Sequence, residues 1–242
     1  MAGVPEPLLL LHGFTQTGRG WDEVVRHLDG ERYRALAPDI RGHGAAATRR
    51  PIDFDACVQD AVGLMRGRFA LAGYSQGARL ALHVALAHPE RVTRVVLVGA
   101  MPTPEGVSVL PQDVRRAMRI ARIAPRLVAR RLERWGREPP LPTGDDATDA
   151  AYALGRNESF RHGGLWLARE LAYLGRPWQI DLADVAAPVR LWYGDRDFVC
   201  PPSIGEEYVR LLPHAELNVV SGTHQLLFSH WRELLLDVSR PI

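Results

Sequence analysis

Residues 69–77 read Phe69-Ala70-Leu71-Ala72-Gly73-Tyr74-Ser75-Gln76-Gly77, in which an apolar run stops at a Gly-x-Ser-x-Gly pentapeptide. A segment with helical periodicity, Ala78 to His88, follows directly. At a strand-to-helix junction this pentapeptide forces a sharp turn that lifts the serine hydroxyl clear of the sheet. Glycines are required because the turn strains the serine backbone and flanking side chains would collide with neighbouring elements. The pattern predicts a nucleophilic Ser75, with a purely structural turn as the alternative.

Short apolar runs alternate with helical patterns along most of the chain. The candidate strands are Pro7–Leu11, Tyr33–Ala37, Phe69–Ala72, Val92–Val98, Val189–Tyr193 and Ala215–Val220. The candidate helices are Trp21–Leu28, Phe54–Arg66, Gln76–His88, Ser203–Leu212 and Gln225–Val238. Most of these apolar runs lack polar alternation, which is typical of strands covered by helices on both faces. Because parallel neighbours need crossover connections, the order predicts an α/β fold with a doubly wound, mostly parallel sheet of about six strands.

Polar side chains follow three of the candidate strands at the point where each strand ends. These side chains are His12, Ser75 and Asp197. Ligands of open parallel sheets bind at the carboxyl ends of the strands. We therefore expect the three residues to converge on one edge of the sheet and to form part of a site there.

The alternation stops between about Met101 and Trp178, a stretch with many prolines and helix-like segments but no convincing strand. Such a stretch is too long for a loop. We predict a single domain over residues 1–242, with a core at 1–100 and 179–242 and a helical cap inserted at 101–178. An apolar stripe at helical spacing runs through the cap, and Pro125 is expected to kink or split its helix.

A serine hydroxyl is a poor nucleophile at neutral pH, so it needs a base, and that base needs an orienting acid. Tyr193-Gly194-Asp195-Arg196-Asp197 puts carboxylates just past one candidate strand. Ser221-Gly222-Thr223-His224 puts an imidazole just past the next strand. The chain therefore offers an acid and a base downstream of Ser75, both at the same edge of the sheet.

Five short motifs occur in chain order: Leu9-Leu10-Leu11-His12-Gly13-Phe14, Asp39-Ile40-Arg41-Gly42-His43-Gly44, Gly73-Tyr74-Ser75-Gln76-Gly77, Gly194-Asp195-Arg196-Asp197 and Gly222-Thr223-His224. Together they resemble successive signatures of the α/β-hydrolase superfamily, over roughly residues 5–100 and 185–240. The resemblance implies that fold, with the usual first hairpin of the sheet reduced. It is specific for the fold and hardly specific for the substrate.

The resemblance also implies which residues form the catalytic triad with Ser75. In the superfamily the acid is the last residue of Gly-x-x-Asp, which favours Asp197 over Asp195. His224 is favoured over His230, because His230 falls inside the following helical pattern. The residue before the histidine is often glycine in the family, whereas this chain has threonine there.

Other residues of the motifs receive supporting roles. The resemblance implies an oxyanion hole formed by the backbone N–H groups of Gln76 and Phe14. We interpret His12 and His43 as turn histidines that hydrogen-bond backbone groups. Asp39 is expected to cap or brace its loop rather than to act as an acid.

We call the turn Gly73–Gly77 the elbow. A serine at its centre excludes the dehalogenase and epoxide-hydrolase branches, which need aspartate there. Hydrolysis of a small carboxylic ester or thioester through an acyl-enzyme is therefore the first hypothesis. Residues Leu9–Phe14 and Gly73–Arg79 also resemble the menaquinone-pathway synthase that forms 2-succinyl-6-hydroxy-2,4-cyclohexadiene-1-carboxylate by eliminating pyruvate. In that case the triad would act as a base, and Tyr74 and Arg79 would bind substrate carboxylates. A non-catalytic small-molecule binding protein is the third hypothesis, which the apparently complete triad disfavours.

The charge of the chain bounds its partners. A formal net charge of +2 gives no reason to expect nucleic acid or a membrane surface. We expect a small-molecule substrate and a monomer or homodimer. The stretch from Pro111 to Glu138 contains nine arginines and three acidic residues, a composition typical of a solvated helix face. The alternative is that one of them grips a substrate carboxylate together with Arg79.

Sequence features also indicate a compartment and a lack of cofactors. The first apolar run, Leu8–Leu11, is too short for a signal peptide or a membrane span. We interpret Cys57 and Cys200 as buried thiols in a reducing cytoplasm, and the arginine-rich, lysine-free composition as bacterial. No cluster has metal-ligand spacing and no glycine loop would cradle a phosphate, so we expect neither a metal nor a cofactor.

Overall fold

A computed structural model describes residues 5–48, 53–139, 145–176 and 180–239. Six strands form one sheet: β1 (Glu6–Leu11), β2 (Tyr33–Leu36), β3 (Phe69–Tyr74), β4 (Val92–Val98), β5 (Val189–Gly194) and β6 (Ala215–Val220). Their order across the sheet is β2-β1-β3-β4-β5-β6, and every neighbouring pair is parallel. The prediction of a doubly wound parallel sheet of about six strands is confirmed.

Helices connect the strands and cover both faces of the sheet. In chain order they are α1 (Asp22–His27), α2 (Phe54–Gly63), α3 (Gln76–Ala87), α4 (Gln112–Ile123), α5 (Pro125–Arg137), α6 (Asp146–Ser159), α7 (Leu165–Leu174), α8 (Pro202–Leu211), α9 (Leu226–Ser229) and α10 (Trp231–Ser239). Short 3-10 turns occur at Gly18–Trp21, Gly44–Ala46, Gly106–Val109 and Leu182–Asp184.

Alternate residues of the central strands enter two different apolar layers. Leu9 and Leu11 pack with α2, α3 and α8 on one face of the sheet. Leu8 and Leu10 pack on the other face, beside α10 and residues of α1 and α9. A strand buried on both faces has no position at which a polar residue is tolerated, which explains the unbroken apolar runs in the sequence.

The structure corrects one of the predicted helices. The segment predicted as one helix, Gln225–Val238, is divided into α9 and α10 at His230. The hydroxyl of Ser229 bonds the backbone carbonyl of Gln225 and also contacts the ring of His230. Such local side-chain bonds compete with helix continuation, and helical periodicity in the sequence does not register them.

The described residues between β4 and β5 form four helices, α4 to α7, and contain no strand. We call these four the inserted helices. As expected, the helix is interrupted at Pro125, because α4 ends at Ile123 and α5 begins at Pro125. Helices α4 and α5 both pack on α7 around a third apolar cluster that includes Met118, Val128 and Leu171. The predicted boundary at residue 178 lies outside the described residues, and the single-domain division remains a prediction.

Candidate active site

The turn between β3 and α3 holds Ser75 in a strained backbone conformation. Its φ is 53° and its ψ is −113°, a combination that residues with a side chain rarely adopt. The Ser75 N–H donates to the carbonyl of Val98 at 2.8 Å, which ties the turn to the next strand. Ser75 therefore stands at the carboxyl edge of the sheet, immediately before the first turn of α3.

The two glycines of the pentapeptide are required by space. A Cβ atom on Gly73 would lie 2.5 Å from the carbonyl oxygen of Gly77. A Cβ atom on Gly77 would lie 2.3 Å from the carbonyl oxygen of Leu11 at the end of β1. Both separations are far below van der Waals contact, so any side chain would displace backbone. The steric reason expected from the sequence is confirmed.

The structure brings Ser75, His224 and Asp197 into one hydrogen-bonded series. The Nε2 atom of His224 lies 3.1 Å from the Ser75 Oγ, and its Nδ1 lies 2.7 Å from the Asp197 Oδ2. The other carboxylate oxygen of Asp197 accepts the N–H groups of Val199 and Cys200, both at 2.8 Å. Asp197 is only 3% exposed, so its loop fixes a buried acceptor behind the imidazole. This arrangement suits Nδ1–H donation to Asp197 and leaves Nε2 to accept the serine proton.

The alternative acid and histidine lie elsewhere. Asp195 is half exposed and accepts the backbone N–H of Gly222 at 2.9 Å. His230 contacts the exposed hydroxyl of Ser229. Asp197 and His224 therefore form the hydrogen-bonded series with Ser75, whereas Asp195 and His230 make other contacts.

The turn after β1 lies directly beside the elbow. A Cβ atom on Gly13 would be 3.0 Å from the Cβ of Ser75. The next residue, Phe14, packs its side chain on the apolar cluster of the inserted helices. Gln76 is the first residue of α3, where backbone N–H groups have no partner within the helix. The assignment of the oxyanion hole to the N–H groups of Phe14 and Gln76 remains a prediction. The position of both residues beside Ser75 is compatible with it.

Tyr74 and Arg79, predicted as substrate-binding residues, make contacts within the protein. The Tyr74 hydroxyl donates to the backbone carbonyl of His224 at 2.9 Å, and its ring is buried. The Arg79 guanidinium lies 5.0 Å and 5.4 Å from the ring centres of Phe54 and Tyr173. Burial lowers the pKa of Arg79 to about 10. Their roles towards a substrate remain predictions.

His12 and Asp39 brace the loops beside the site, as expected. The Ile40 N–H donates to the His12 Nε2 at 2.8 Å, which requires an unprotonated nitrogen. Burial, reinforced by the nearby His43, lowers the pKa of His12 well below its usual value, in keeping with that acceptor role. The Asp39 carboxylate accepts the N–H groups of Gly18 and Ala45 at 2.8 Å and 2.7 Å.

The interpretation of His43 as a histidine that bonds backbone groups is incomplete, because its ring meets a side chain as well as the backbone carbonyl of Ile40. Its Nε2 lies 3.1 Å from a carboxylate oxygen of Glu170, which belongs to α7 of the inserted helices. The same carboxylate accepts the side-chain amide of Gln76. His43 and Glu170 are 127 positions apart along the chain, so no local sequence signal connects them.

Sequence reasoning also missed Gly99, which follows β4. Its φ is +52°, and a Cβ atom there would lie 3.3 Å from the Cε1 and Nδ1 atoms of His224. A glycine directly after a buried strand is the signal that could have found it.

Among the residues that the structure describes, no group of three His, Cys, Asp or Glu side chains is arranged to hold a metal ion. No helix within the described ranges is both long and apolar enough to cross a bilayer.

Comparison with known proteins gives partial and nearly full-length matches. A pimeloyl-[acyl-carrier protein] methyl ester esterase of Nitrosomonas europaea is 35% identical over 95 residues, which cover 39% of this chain and 37% of that relative. A putative 2-succinyl-6-hydroxy-2,4-cyclohexadiene-1-carboxylate synthase of Bacillus subtilis is 28% identical, covering 89% of this chain and 82% of the relative. The magnesium-chelatase 30 kDa subunit of Rhodobacter capsulatus is 30% identical, covering 90% and 80%.

Solved structures share the architecture. An esterase of Exiguobacterium antarcticum superposes with a TM-score of 0.75 at 20% identity, covering 98% of this chain and 91% of the other. At that identity the likeness shows the fold alone. A family model described as the alpha/beta hydrolase fold matches residues 6–138, more than half of the 242 residues. The protein therefore belongs to the α/β-hydrolase family.

Proposed function

We propose that the protein is a serine hydrolase that cleaves a small carboxylic ester or thioester. The observation that carries the proposal is the contact series from the Ser75 Oγ through the His224 ring to the Asp197 carboxylate, with separations of 3.1 Å and 2.7 Å. These are hydrogen-bond distances for a nucleophile, a base and an orienting acid. The esterase among the partial relatives supports the same reaction class.

In the acylation half-reaction, the Ser75 Oγ attacks the substrate carbonyl carbon while the His224 Nε2 takes the hydroxyl proton. Asp197 accepts the Nδ1–H throughout and stabilises the imidazolium that forms. When the tetrahedral intermediate collapses, the bond from carbon to the leaving oxygen or sulfur breaks, and His224 donates its proton to that atom. The products are an acyl ester on Ser75 and a free alcohol or thiol.

Deacylation repeats these steps with water. His224 takes a proton from a water molecule, whose oxygen attacks the acyl carbon. The new intermediate breaks the bond to Oγ, and the proton on Nε2 returns to Ser75. The carboxylic acid leaves and the starting enzyme is restored.

The developing oxyanion needs donors that are already in place. We assign this task to the backbone N–H groups of Gln76 and Phe14, on the two loops that meet at the elbow. Loss of one such donor typically costs about 3–4 kcal/mol of transition-state stabilisation. The position of Gln76 directly after the strained Ser75, at φ 53°, supports the assignment, because the residue after the nucleophile supplies such a donor in this fold.

The proposed substrate is small because the site is enclosed. Ser75 is only 5% exposed, and Glu170 of α7 contacts the residue next to it. We propose that the inserted helices act as a cap and select the acyl chain. A methyl ester, the kind of bond in the name of the Nitrosomonas relative, is one candidate for the bond cleaved, although the match covers only 37% of that protein.

The direct test uses p-nitrophenyl acetate with the wild type, Ser75→Ala and the matched control Ser239→Ala. The Ser239 hydroxyl, at the end of α10, bonds the backbone carbonyl of Leu236 and stays outside the proposed triad. We expect Ser75→Ala to lose about 10⁶-fold in kcat and the control to keep full turnover. Phosphonylation by a fluorophosphonate, located by mass spectrometry, should modify Ser75 in the wild type. A folded protein with equal turnover in wild type and Ser75→Ala would contradict the proposal.

A lyase is the second candidate, favoured by the putative synthase that matches over 89% of this chain. In this alternative His224 and Ser75 remove a substrate proton and pyruvate is eliminated, with no acyl-enzyme. The discriminating result is pyruvate release from the synthase's substrate, measured with lactate dehydrogenase, in a protein that leaves nitrophenyl esters intact. A binding protein would do neither and would also resist phosphonylation.

A further inference from the structure

We call the sheet and the helices other than α4 to α7 the sheet domain. Three buried polar side chains from three separate elements meet where the inserted helices touch it. Glu170 of α7 is 4% exposed and accepts the side-chain amide of Gln76, the first residue of α3. Its second oxygen lies 3.1 Å from the Nε2 atom of His43, which is 1% exposed. The cluster has no part in the proton transfers assigned to the Ser75 triad.

A carboxylate in such surroundings needs a charged partner. Burying an unpaired carboxylate is costly, and one neutral amide does not replace its lost hydration. The nearest atoms of the two side chains, the His43 Nε2 and a carboxylate oxygen of Glu170, are 3.1 Å apart, which is close enough for a charge-assisted contact. Burial alone would lower the pKa of His43, but Glu170, helped by the backbone carbonyl of Ile40 and the charge of Asp39, outweighs it and raises that pKa above the usual value.

Helix α7 is seated tightly on the loop that carries His43. A Cβ atom on Gly42 would lie 1.5 Å from the indole nitrogen of Trp166, four residues before Glu170. The loop backbone therefore touches one turn of α7 while the His43 ring faces the next. Rotation or withdrawal of α7 would separate Glu170 from both His43 and Gln76 together.

We propose that Glu170 is a positioning residue that, paired with a protonated His43, holds Gln76 and the first turn of α3 in place beside the nucleophile. This inference rests on the proposed hydrolase function, in which the Gln76 N–H binds the oxyanion. The side chain of Gln76 is the link: its amide is held by the inserted helices while its own backbone follows Ser75. A small displacement of that turn would misdirect the oxyanion donor, and misplacements of about 1 Å can cost about 100-fold in rate.

Other titratable groups face this cluster from each element packed against it. The ring of His12, after β1, lies 4.8 Å from that of His43, centre to centre, and Asp39 contributes an attractive charge from its loop. Cys57 of α2 faces Glu170, and Arg41 lies on the same side. Burial raises the pKa of Cys57 to about 12, so its thiol stays neutral in the working pH range.

The pair gives the site a predicted pH dependence. A histidine whose pKa is raised by folding stabilises the folded state, and this stabilisation is fully present at pH values below the pKa of histidine in the unfolded chain, about 6.5. That contribution is lost as pH rises through the higher folded value. We therefore expect kcat to fall on the alkaline side as His43 loses its charge.

The test compares wild type, Glu170→Gln and the control Glu158→Gln across pH with p-nitrophenyl acetate. Glu158 of α6 also joins an inserted helix to the sheet domain, through Thr17 and the exposed Arg19, away from Gln76. We expect Glu170→Gln to lower kcat about tenfold at pH 6–7 with little change in KM, and to lose the alkaline decline. The control should keep the wild-type profile. A wild-type kcat and profile in Glu170→Gln would overturn the proposal.

Histidine titration by NMR supplies a readout that needs no activity. With ring-labelled histidine, and His43→Gln to assign the signal, we expect His43 to titrate above its usual range in the wild type. In Glu170→Gln the titration should move to lower pH. If the wild-type signal titrates at or below the usual value, the inference fails even when the enzyme is fully active. If the titration behaves as expected in a protein without esterase activity, the proposed function fails and the charged pair stands.

Discussion

Two regions of this molecule each contain a buried carboxylate against a histidine, and the two are held in different ways. Asp197, in the loop after β5, is fixed by two N–H groups two and three residues along the same chain. Glu170, on α7 of the inserted helices, meets Gln76 and His43, which lie 94 and 127 positions away along the chain. The first acid is positioned by its own loop; the second depends on how two parts of the protein pack.

The difference teaches which contacts are robust. Backbone donors within one loop keep their geometry as long as the loop folds, so the Asp197–His224 pair is preorganised. Side chains from separate elements keep theirs only while those elements stay docked. We therefore expect the first pair to dominate the chemical step, and the second to adjust it.

The largest expected effect separates the two pairs directly. Asp197→Asn keeps the shape of the side chain but no longer favours the imidazole tautomer that Ser75 needs, and we expect kcat to fall by about 10⁴-fold. Glu170→Gln should cost only about tenfold. The control, Asp195→Asn, changes the half-exposed acid of the same loop and should leave kcat nearly unchanged. Similar losses in the Asp197 and Glu170 variants, measured by steady-state kinetics, would end the distinction between the two regions.

A smaller effect is expected from crowding the first pair without removing a group. Gly99→Ala places a Cβ atom 3.3 Å from the His224 ring at a φ of +52°. We expect kcat to fall by about tenfold or more, and the free energy of unfolding by about 1–3 kcal/mol. The matched control is Gly63→Ala at the end of α2, where an added Cβ meets nothing within 4 Å. Full activity in Gly99→Ala would show that the His224 ring can move aside without loss of function, and would contradict the claim that the Asp197–His224 pair is rigidly preorganised.

The smallest effect concerns the junction between the inserted helices and the sheet domain. Arg79→Met removes a guanidinium stacked on Phe54 and Tyr173 and bonded to the carbonyl of Leu174 at 3.4 Å. We expect the free energy of unfolding to fall by about 1–2 kcal/mol in chemical denaturation. Turnover of neutral and anionic esters should fall equally, and Arg116→Met, on the exposed face of α4, should change neither. A loss confined to anionic esters would instead support a carboxylate clamp at Arg79.

The features that could be predicted from the sequence alone are those that leave a local pattern in it. The sheet was predictable because unbroken apolar runs need cover on both faces, and the elbow because Gly73 and Gly77 have no room for side chains. His224 and Asp197 were identified through motifs at strand ends. The helix break at His230 was missed because a serine hydroxyl bonding backbone leaves the apolar spacing unchanged.

The amino-acid order by itself determined the parallel sheet, the turn that presents Ser75 and the edge at which the acid and base arrive. These follow from the period of apolar residues and from the steric needs of single glycines, both of which act over a few positions. Only the tertiary structure decided that Glu170 meets His43 and Gln76, and that Gly99 touches the His224 ring. Such contacts join residues whose separation along the chain carries no periodic signal, so they exist only once helices and sheet have packed.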